Sequence, residues 1–174
     1  MDLKSHIRNI KDFPKPGIMF RDITTLLKNP EVFKYTSDIL LSFIADKNID
    51  KVVGVESRGF IFGSVLAYKL NAGFIPVRKP GKLPAEKAAV SYSLEYGEDK
   101  LEIHKDAIKP ADKVLVHDDL LATGGTMNAV CNLIEKLGGE IVQLSFVIEL
   151  SFLQGREKLN KYDIRSIVNY IDEN

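Results

Sequence analysis

The segment Val114–Thr126 combines two adjacent acids with a turn of small residues. Its sequence, VLVHDDLLATGGT, predicts a buried strand, with Asp118 and Asp119 directly after its end, followed by a turn that opens a helix. Backbone N–H groups in such a turn point outward, and the helix N-terminus adds partial positive charge. The turn therefore predicts a phosphate site. The two acids would suit vicinal hydroxyl groups of a ribose held beside that phosphate.

The turn Ala122–Thr126 carries the residue types that a phosphate requires. Gly124 and Gly125 let the backbone approach closely and adopt dihedrals closed to other residues, while Thr123 and Thr126 can add hydroxyl donors. No lysine follows the glycines, as a P-loop needs, and no G-x-G-x-x-G of a dinucleotide fold occurs. A capping aspartate before an ordinary turn is the structural alternative, and we disfavour it.

The elements around this segment form a repeated pattern of strand, helix and strand. Such a pattern predicts an α/β fold, an open and mostly parallel sheet with flanking helices, whose ligands bind beyond the carboxyl ends of the strands. The first unit has strands at Lys51–Val55 and Phe74–Val77 around a helix at Gly59–Leu70, and the second has strands at Lys113–His117 and Ile141–Ile148 around a helix at Thr126–Leu137.

The remaining segments predict additions to that sheet. Leu3, Ile7 and Ile10 predict a short opening helix, Gly17–Ile23 an extended stretch, and Asn29 the cap of a helix that begins at Pro30. Further along, Arg78–Ala88 predicts a mobile loop, Ala89–Tyr96 and Lys100–Ala107 a hairpin with Gly97 at its turn, and Asp163–Tyr170 an edge strand.

Composition limits the classes of function. The 174 residues suit a single domain, 1–174, with an N-terminal segment of about 1–28 and a loop and hairpin of about 79–107. The 24 basic and 24 acidic residues cancel, which argues against nucleic-acid or membrane partners. Cys131 favours a buried thiol, and the scattered histidines offer no protein metal site. No apolar run reaches a membrane span, so we expect a cytoplasmic enzyme.

Val114–Thr126 resembles the signature by which type I phosphoribosyltransferases bind 5-phosphoribosyl diphosphate (PRPP), in the form typical of the adenine enzymes. Further stretches agree in order, so that the resemblance runs from about residue 10 to residue 158; they are Phe13–Ile23, Glu56–Phe60, Arg78–Pro84 and Ser91–Gly97. The resemblance implies a purine salvage transferase that converts adenine and PRPP to AMP and pyrophosphate. It also implies a hood formed by the N-terminal segment.

The resemblance implies roles for residues that contact PRPP or AMP. Ala122–Thr126, which includes Ala122, Thr123, Gly124, Gly125 and Thr126, would hold the 5′-phosphate, and Asp118 and Asp119 the ribose hydroxyls. Arg58 lies in the turn that matches the pyrophosphate loop. Basic residues of the following loop would face pyrophosphate, commonly in the neighbouring subunit of a homodimer; these are Arg78, Lys79 and Lys82. Magnesium would be bound through the pyrophosphate and ribose oxygens.

The same resemblance implies a base pocket and a proton-transfer group. Met19 would contact adenine through its backbone and Arg21 would reach the base, with Phe20 and Leu120 on its faces. Glu95 stands where the family carries its proposed general acid/base. The family more often has an aliphatic residue where His117 stands, so His117 is either a satisfied strand histidine or a group that tunes the pKa of Asp118.

Three alternatives remain open. The nearest is the same chemistry on guanine, hypoxanthine or orotate, against which the segment Phe13–Ile23 argues. The second is a regulator that binds PRPP or a nucleotide without catalysis, but this chain offers neither a spare DNA-binding segment nor a positive net charge. The third is an α/β oxidoreductase, which the missing dinucleotide motif disfavours.

Overall fold

The chain contains nine strands and four α-helices within its described residues. The computed structural model describes residues 1–44, 46–93 and 98–173. In chain order the helices and strands are β1 (Arg8–Lys11), β2 (Met19–Asp22), α1 (Thr24–Leu27), α2 (Pro30–Ser42), β3 (Lys51–Val55), α3 (Gly59–Leu70), β4 (Gly73–Val77), β5 (Lys87–Ser93), β6 (Glu98–His104), β7 (Lys113–Leu121), α4 (Gly125–Lys136), β8 (Glu140–Leu150) and β9 (Ile164–Tyr170).

Five strands pair in parallel and form the central sheet. Their order is β4-β3-β7-β8-β9, and every neighbouring pair is parallel. Parallel neighbours need a crossover connection, which α3 provides between β3 and β4 and α4 between β7 and β8. The predicted α/β fold with a mostly parallel sheet is therefore confirmed, as is the C-terminal edge strand.

Each face of the sheet has its own hydrophobic core, because alternate side chains of a strand point to opposite faces. Val53 and Val116 lie on the face covered by α4 and the hairpin β5–β6. Val52 and Leu115 lie on the other face, which α2 and α3 cover. Both faces are thus buried, which explains the continuous apolar runs of β3 and β7.

The N-terminus differs from its predicted helix. Only a 3₁₀ turn, Lys4–His6, forms before β1, which pairs antiparallel with β2. Arg8 lies opposite Asp22 in this pairing, and its Nη2 contacts the carboxylate at 2.5 Å. Leu3 and Ile7 are buried as their spacing predicted, but pairing of β1 with β2 overrides the local helical pattern. The predicted extended stretch is confirmed as β2.

The predicted helix cap and hairpin are both present. Asn29 caps α2 as expected, because its side chain accepts hydrogen bonds from the N–H groups of Glu31 and Val32. The hairpin is confirmed as antiparallel β5–β6, while Gly97 lies outside the described residues. In the described part of the chain, no helix is both long and apolar enough to cross a membrane.

Candidate active site

Strand β7 continues through the acid pair, four residues beyond the predicted strand end at His117. The reason is β8, which extends to Leu150 and pairs with β7 as far as Leu121. On the opposite edge, β3 pairs with β7 only as far as His117. Asp118 and Asp119 therefore lie on an ordered strand where one neighbour has already ended, at the kind of crevice in which α/β sheets bind ligands.

A cavity of about 400 Å³ opens at this crevice. It brings together most of the residues that the sequence predicted for PRPP. Its lining includes Arg58, Lys79, Asp118, Asp119, Ala122, Thr123, Gly124, Gly125 and Thr126. The wall thus has carboxylates on β7, cations on two other segments and a glycine-rich turn at the start of a helix.

The acid pair is tightly enclosed. Asp119 is buried and its Oδ2 lies 2.9 Å from Nε of Arg58. Burial raises the pKa of Asp118 well above its ordinary value, and the charge of Asp119 raises it further. Burial also raises the pKa of Asp119, an effect that Arg58 partly offsets. The start of α3 can pack closely against the acid pair because residue 59 is a glycine. A Cβ on Gly59 would lie 3.0 Å from Oδ1 of Asp118.

The turn before α4 has the geometry of an anion site. Gly124 has φ +77°, a conformation that favours glycine, and α4 begins at Gly125. The helix N-terminus leaves N–H groups without intrahelical partners, and these face a bound anion. Thr126 also lines the cavity, where its hydroxyl donates to the hydroxyl of Tyr92 at 3.3 Å.

Of the three basic residues predicted to face pyrophosphate, Arg78, Lys79 and Lys82, one lines the cavity and two lie outside it. Lys79 lines the cavity, where its ammonium pairs with Asp99. Arg78 does not line it and instead binds the carboxylate of Glu56, with Nη2 at 3.1 Å from Oε1. The guanidinium holds the pKa of Glu56 below its ordinary value, although burial opposes the shift. Lys82 is exposed and also lies outside the lining.

A second cavity, of about 540 Å³, adjoins the first. All four residues predicted for adenine line it; they are Met19, Phe20, Arg21 and Leu120. Arg21 donates from Nη2 to the carbonyl of Glu173 at 2.8 Å and lies over the ring of Tyr170, so the C-terminus supports this wall. Both cavities share Leu120, Ala122 and Thr123, and therefore meet along one wall.

Some residues of the cavities were missed by the sequence reasoning. Glu56 and Phe152 stand at the carboxyl ends of β3 and β8, and that position was the signal available for them. Tyr92 and Asp99 face the first cavity from the hairpin, whose strands gave no such signal. Glu95, the predicted proton-transfer group, lies outside the described residues.

His117 is a buried strand histidine. Its Nδ1 lies 2.9 Å from Oγ of Ser145, and its ring meets that of Phe62 edge to face. Burial lowers the pKa of His117 to about 3, so the ring is neutral at physiological pH and adds no positive charge beside Asp118.

Comparison with known proteins identifies the family. The model for the phosphoribosyl transferase domain matches residues 22–173. The adenine phosphoribosyltransferase of Clostridium tetani is 60% identical over 170 residues, which cover 98% of this chain and 99% of that protein. The crystal structure of the Thermoanaerobacter pseudethanolicus enzyme shares 50% identity with a TM-score of 0.95, over 97% of this chain and 98% of that one.

The Saccharomyces cerevisiae enzyme, crystallised with adenine and an iminoaltritol bisphosphate, is 41% identical with a TM-score of 0.89, over 95% of this chain and 96% of that one. These similarities extend over nearly the whole chain and agree with a sheet-end cavity that carries two acids and a phosphate-type turn. The chain belongs to the phosphoribosyltransferase family and, within it, to the adenine phosphoribosyltransferases.

Proposed function

We propose that the two adjoining cavities hold PRPP and adenine, and that this chain joins them to give AMP and pyrophosphate. The observation that carries the proposal is the wall shared by both cavities, which consists of Leu120, Ala122 and Thr123. A base in the second cavity and a sugar phosphate in the first would meet along that wall. The purine salvage reaction of the family requires this contact between base nitrogen and C1 of the ribose.

In the first cavity we assign the 5′-phosphate to the turn Ala122–Thr126 and the ribose hydroxyls to Asp118 and Asp119. The helix start at Gly125 supports the phosphate assignment. Carboxylates accept hydrogen bonds from vicinal hydroxyls, which would lie between the acids and the phosphate turn. Arg58 and Lys79 would face the pyrophosphate, because they are the cations of this lining.

In the second cavity we assign adenine to the hood strand β2. Met19 lies on this strand, whose extended backbone offers a donor and an acceptor to the N1/N6 edge of the base. Phe20 and Leu120 would pack on the faces of the ring. The guanidinium carbon of Arg58 lies 4.9 Å from the centre of the Phe20 ring. Phe20, which would pack on the base, therefore contacts Arg58, which would face the pyrophosphate.

Charge development sets the demands on these residues. Departure of pyrophosphate leaves positive character on the ribose and negative charge on the leaving group. Arg58 and Lys79 would stabilise the departing charge, whereas the carboxylates of Asp118 and Asp119 would orient the sugar. Adenine loses its N9 proton as the bond forms, and we assign that transfer to Glu95.

Mg²⁺ fits this site as an ion carried by the substrate. Within the described residues, no three His, Cys, Asp or Glu side chains form a group that could hold a metal. Mg²⁺ prefers oxygen ligands and is commonly held by one or two carboxylates together with substrate phosphates. Asp118 and Asp119 offer such oxygens at the cavity wall. When bound, Mg²⁺ would neutralise charge on the pyrophosphate.

The proposal extends to the assembly and its location. We place the protein in the cytoplasm as a homodimer in which Lys82 reaches the site of the neighbouring subunit. Lys82 is exposed and lies outside the cavity of its own chain, unlike Lys79 on the same segment. Sedimentation equilibrium of the purified protein should give twice the chain mass of 19.5 kDa. A monomer at micromolar concentration would contradict the dimer.

The activity is tested by incubating the protein with PRPP, Mg²⁺ and one base at a time, and by identifying the nucleotide by chromatography. We expect AMP from adenine, with far less product from guanine, hypoxanthine or orotate. A protein with both Asp118 and Asp119 replaced by asparagine is the matched control for contaminating activity. Failure to form AMP, or faster formation of another nucleotide, would overturn the assignment.

A further inference from the structure

Gly155 lies directly against the proposed phosphate turn, Ala122–Thr126. After β8 the chain turns through Gln154, which has φ 56°, and Gly155 begins a 3₁₀ turn that ends at Leu159. A Cβ built on Gly155 would lie 2.2 Å from the carbonyl oxygen of Ala122, and one built on Gly124 would lie 2.5 Å from the carbonyl oxygen of Gly155. The two backbones therefore touch, and neither position has room for a side chain.

Arg156, the residue after Gly155, forms hydrogen bonds to β8 and β9 of the sheet. Its Nε and Nη2 donate to the two carboxylate oxygens of Glu149 at 2.6 and 2.7 Å, and its Nη1 donates to the carbonyl of Ile164 at 3.2 Å. The hydroxyl of Ser166 donates to the same carboxylate at 2.6 Å. Glu149 has a side chain that is only 5% exposed. Bidentate pairing of this kind fixes position as well as charge.

The clamped carboxylate lies on the strand beside the phosphate turn. Glu149 of β8 is in register with Leu121, the last residue of β7 and the one that precedes the turn. Burial opposes ionisation of Glu149, but hydrogen bonds from Arg156 and Ser166 outweigh it and lower its pKa. The pair is thus charged at neutral pH, and it links β8, β9 and the segment that carries Gly155.

We propose that Gly155 and Arg156 are positioning residues for the 5′-phosphate. The contact of Gly155 with Ala122 and Gly124 fixes the backbone of the phosphate turn, and the Arg156–Glu149 pair holds Gly155 there. This inference rests on the proposed function, because the assignment of the 5′-phosphate to Ala122–Thr126 is itself a proposal.

The physical basis is preorganisation. A turn that contains Gly124 and Gly125 has wide backbone freedom on its own, and its N–H groups bind a phosphate only in one arrangement. If the turn is held in that arrangement before binding, less conformational entropy is lost when the phosphate arrives. Loosening or displacing Gly155 should therefore weaken phosphate binding selectively and leave recognition of the base largely intact.

AMP and adenosine provide the probe, because they differ only in the 5′-phosphate. We would measure both dissociation constants by isothermal titration and take the ratio of adenosine to AMP as the contribution of the phosphate. Gly155→Ala should lower this ratio at least about tenfold, the loss of one or two charge-assisted hydrogen bonds. Arg156→Gln should lower it by a smaller factor, and Arg156→Lys should restore only part, because lysine lacks the planar fork.

Gly139→Ala is the matched control. A Cβ on Gly139 would lie 2.8 Å from Cγ2 of Ile134 and 2.9 Å from Cγ2 of Ile108, a clash with side chains at the far end of α4 from the turn. It should lower the melting temperature without changing the ratio. A folded Gly155→Ala protein with the wild-type ratio, or an equal fall in Gly139→Ala, would overturn the positioning role. If Gly155→Ala does not fold, Arg156→Gln decides by the same criterion.

Failure of the underlying assignment has a different signature. If the 5′-phosphate does not bind at the turn, Thr126→Ala in an otherwise wild-type protein will leave the ratio unchanged. The positioning role alone fails if the ratio falls in Thr126→Ala but is unchanged in both Gly155→Ala and Arg156→Gln. The phosphate site at Ala122–Thr126 would then be retained. A lowered ratio in all three, with Gly139→Ala unaffected, supports both.

Discussion

Nε of Arg58 lies 2.9 Å from Oδ2 of Asp119, and this contact joins the turn after β3 to the acid pair on β7. Asp119 is almost fully buried, whereas the Arg58 side chain is 32% exposed and faces the cavity. Removing either partner would leave the other charge poorly compensated, which is costly in a buried site. The proposed ribose and pyrophosphate sites therefore share one ion pair, so binding of either part of PRPP should depend on both residues.

Asp118→Asn should stabilise the protein while weakening PRPP binding. Burial and Asp119 raise the pKa of Asp118, so the folded state retains a proton that the unfolded state loses, and stability falls as pH rises from about 4 through the raised pKa. Asparagine carries no titratable charge. The melting temperature at pH 7 should rise by about 2–4 °C for each kcal/mol by which the free energy of unfolding increases. KM for PRPP should rise at least about tenfold.

Calorimetry at several pH values and steady-state kinetics check this pair of effects. Asp106→Asn, at an exposed carboxyl, serves as the control and should change neither quantity. A lower melting temperature for Asp118→Asn at pH 7 would mean that the fold stabilises the ionised carboxylate, which is the opposite of the expected effect. An unchanged KM for PRPP would mean that Asp118 does not contribute to PRPP binding.

A mixture of Lys82→Ala and Asp119→Ala proteins should regain activity that neither has alone. In a hybrid dimer, one site keeps its own Asp119 and receives Lys82 from the other subunit. Random exchange of equal amounts makes half of the dimers hybrid, so about a quarter of the wild-type activity should return. The control mixture of Lys79→Ala with Asp119→Ala should not recover, because Lys79 lines the cavity of its own chain. Equal recovery in both mixtures, or none after verified exchange, would reject this division of roles.

Glu95→Gln should lower kcat by about 10²–10⁴-fold, the usual contribution of general acid–base catalysis. Glutamine keeps the size and hydrogen-bonding capacity of glutamate, so KM for PRPP should change little. Steady-state kinetics at saturating adenine distinguish the outcomes. A change confined to KM would assign Glu95 to binding or closure, and kinetic constants within about threefold of wild type would make it a surface carboxylate.

The phosphate turn and its strand could be predicted because their signals are local. Gly124 needs a positive φ, and an apolar run before two acids indicates a buried strand that reaches a sheet end. Parallel topology then places Arg58 beside Asp119, since Arg58 follows the carboxyl end of β3 and Asp119 lies on the neighbouring strand β7, just beyond its last pair with β3. Local chemistry and one topological rule were thus sufficient to bring Arg58, Asp119 and Gly124 to one cavity, whose ligands remain those of the proposal.

The parts that escaped prediction depend on contacts between different elements of the chain. The N-terminal segment has the apolar spacing of a helix, but β2 pairs with it and makes it a strand. Residues in the turn after β8 gave no local sign that Gly155 would touch Ala122, because α4 and β8 separate the two residues along the chain. The role of Glu56 as the partner of Arg78 was equally hidden, since β3 and β4 must first pair.

The carboxylate of Asp99 pairs with Lys79 inside the proposed PRPP cavity. Burial opposes ionisation of Asp99, but hydrogen bonds from Lys79 and Tyr92 help to outweigh it and lower its pKa, so the group is ionised at neutral pH. If the pyrophosphate group of PRPP binds beside Lys79 as proposed, it must compete with that carboxylate for the ammonium and is repelled by it. Asp99→Asn should therefore lower KM for PRPP by about two- to tenfold at low salt, with a smaller effect at high salt.

Glu86→Gln is the control for this prediction, because Glu86 pairs with Lys105 at the open end of the hairpin, outside the cavity lining. It removes one exposed negative charge and should leave KM almost unchanged, since exposed pairs contribute little. A rise in KM for Asp99→Asn would reverse the interpretation: Asp99 would then hold Lys79 in the orientation that pyrophosphate needs, and its loss would release the ammonium into solvent. The sign of the change in KM therefore decides whether Asp99 competes with the substrate or prepares the site for it.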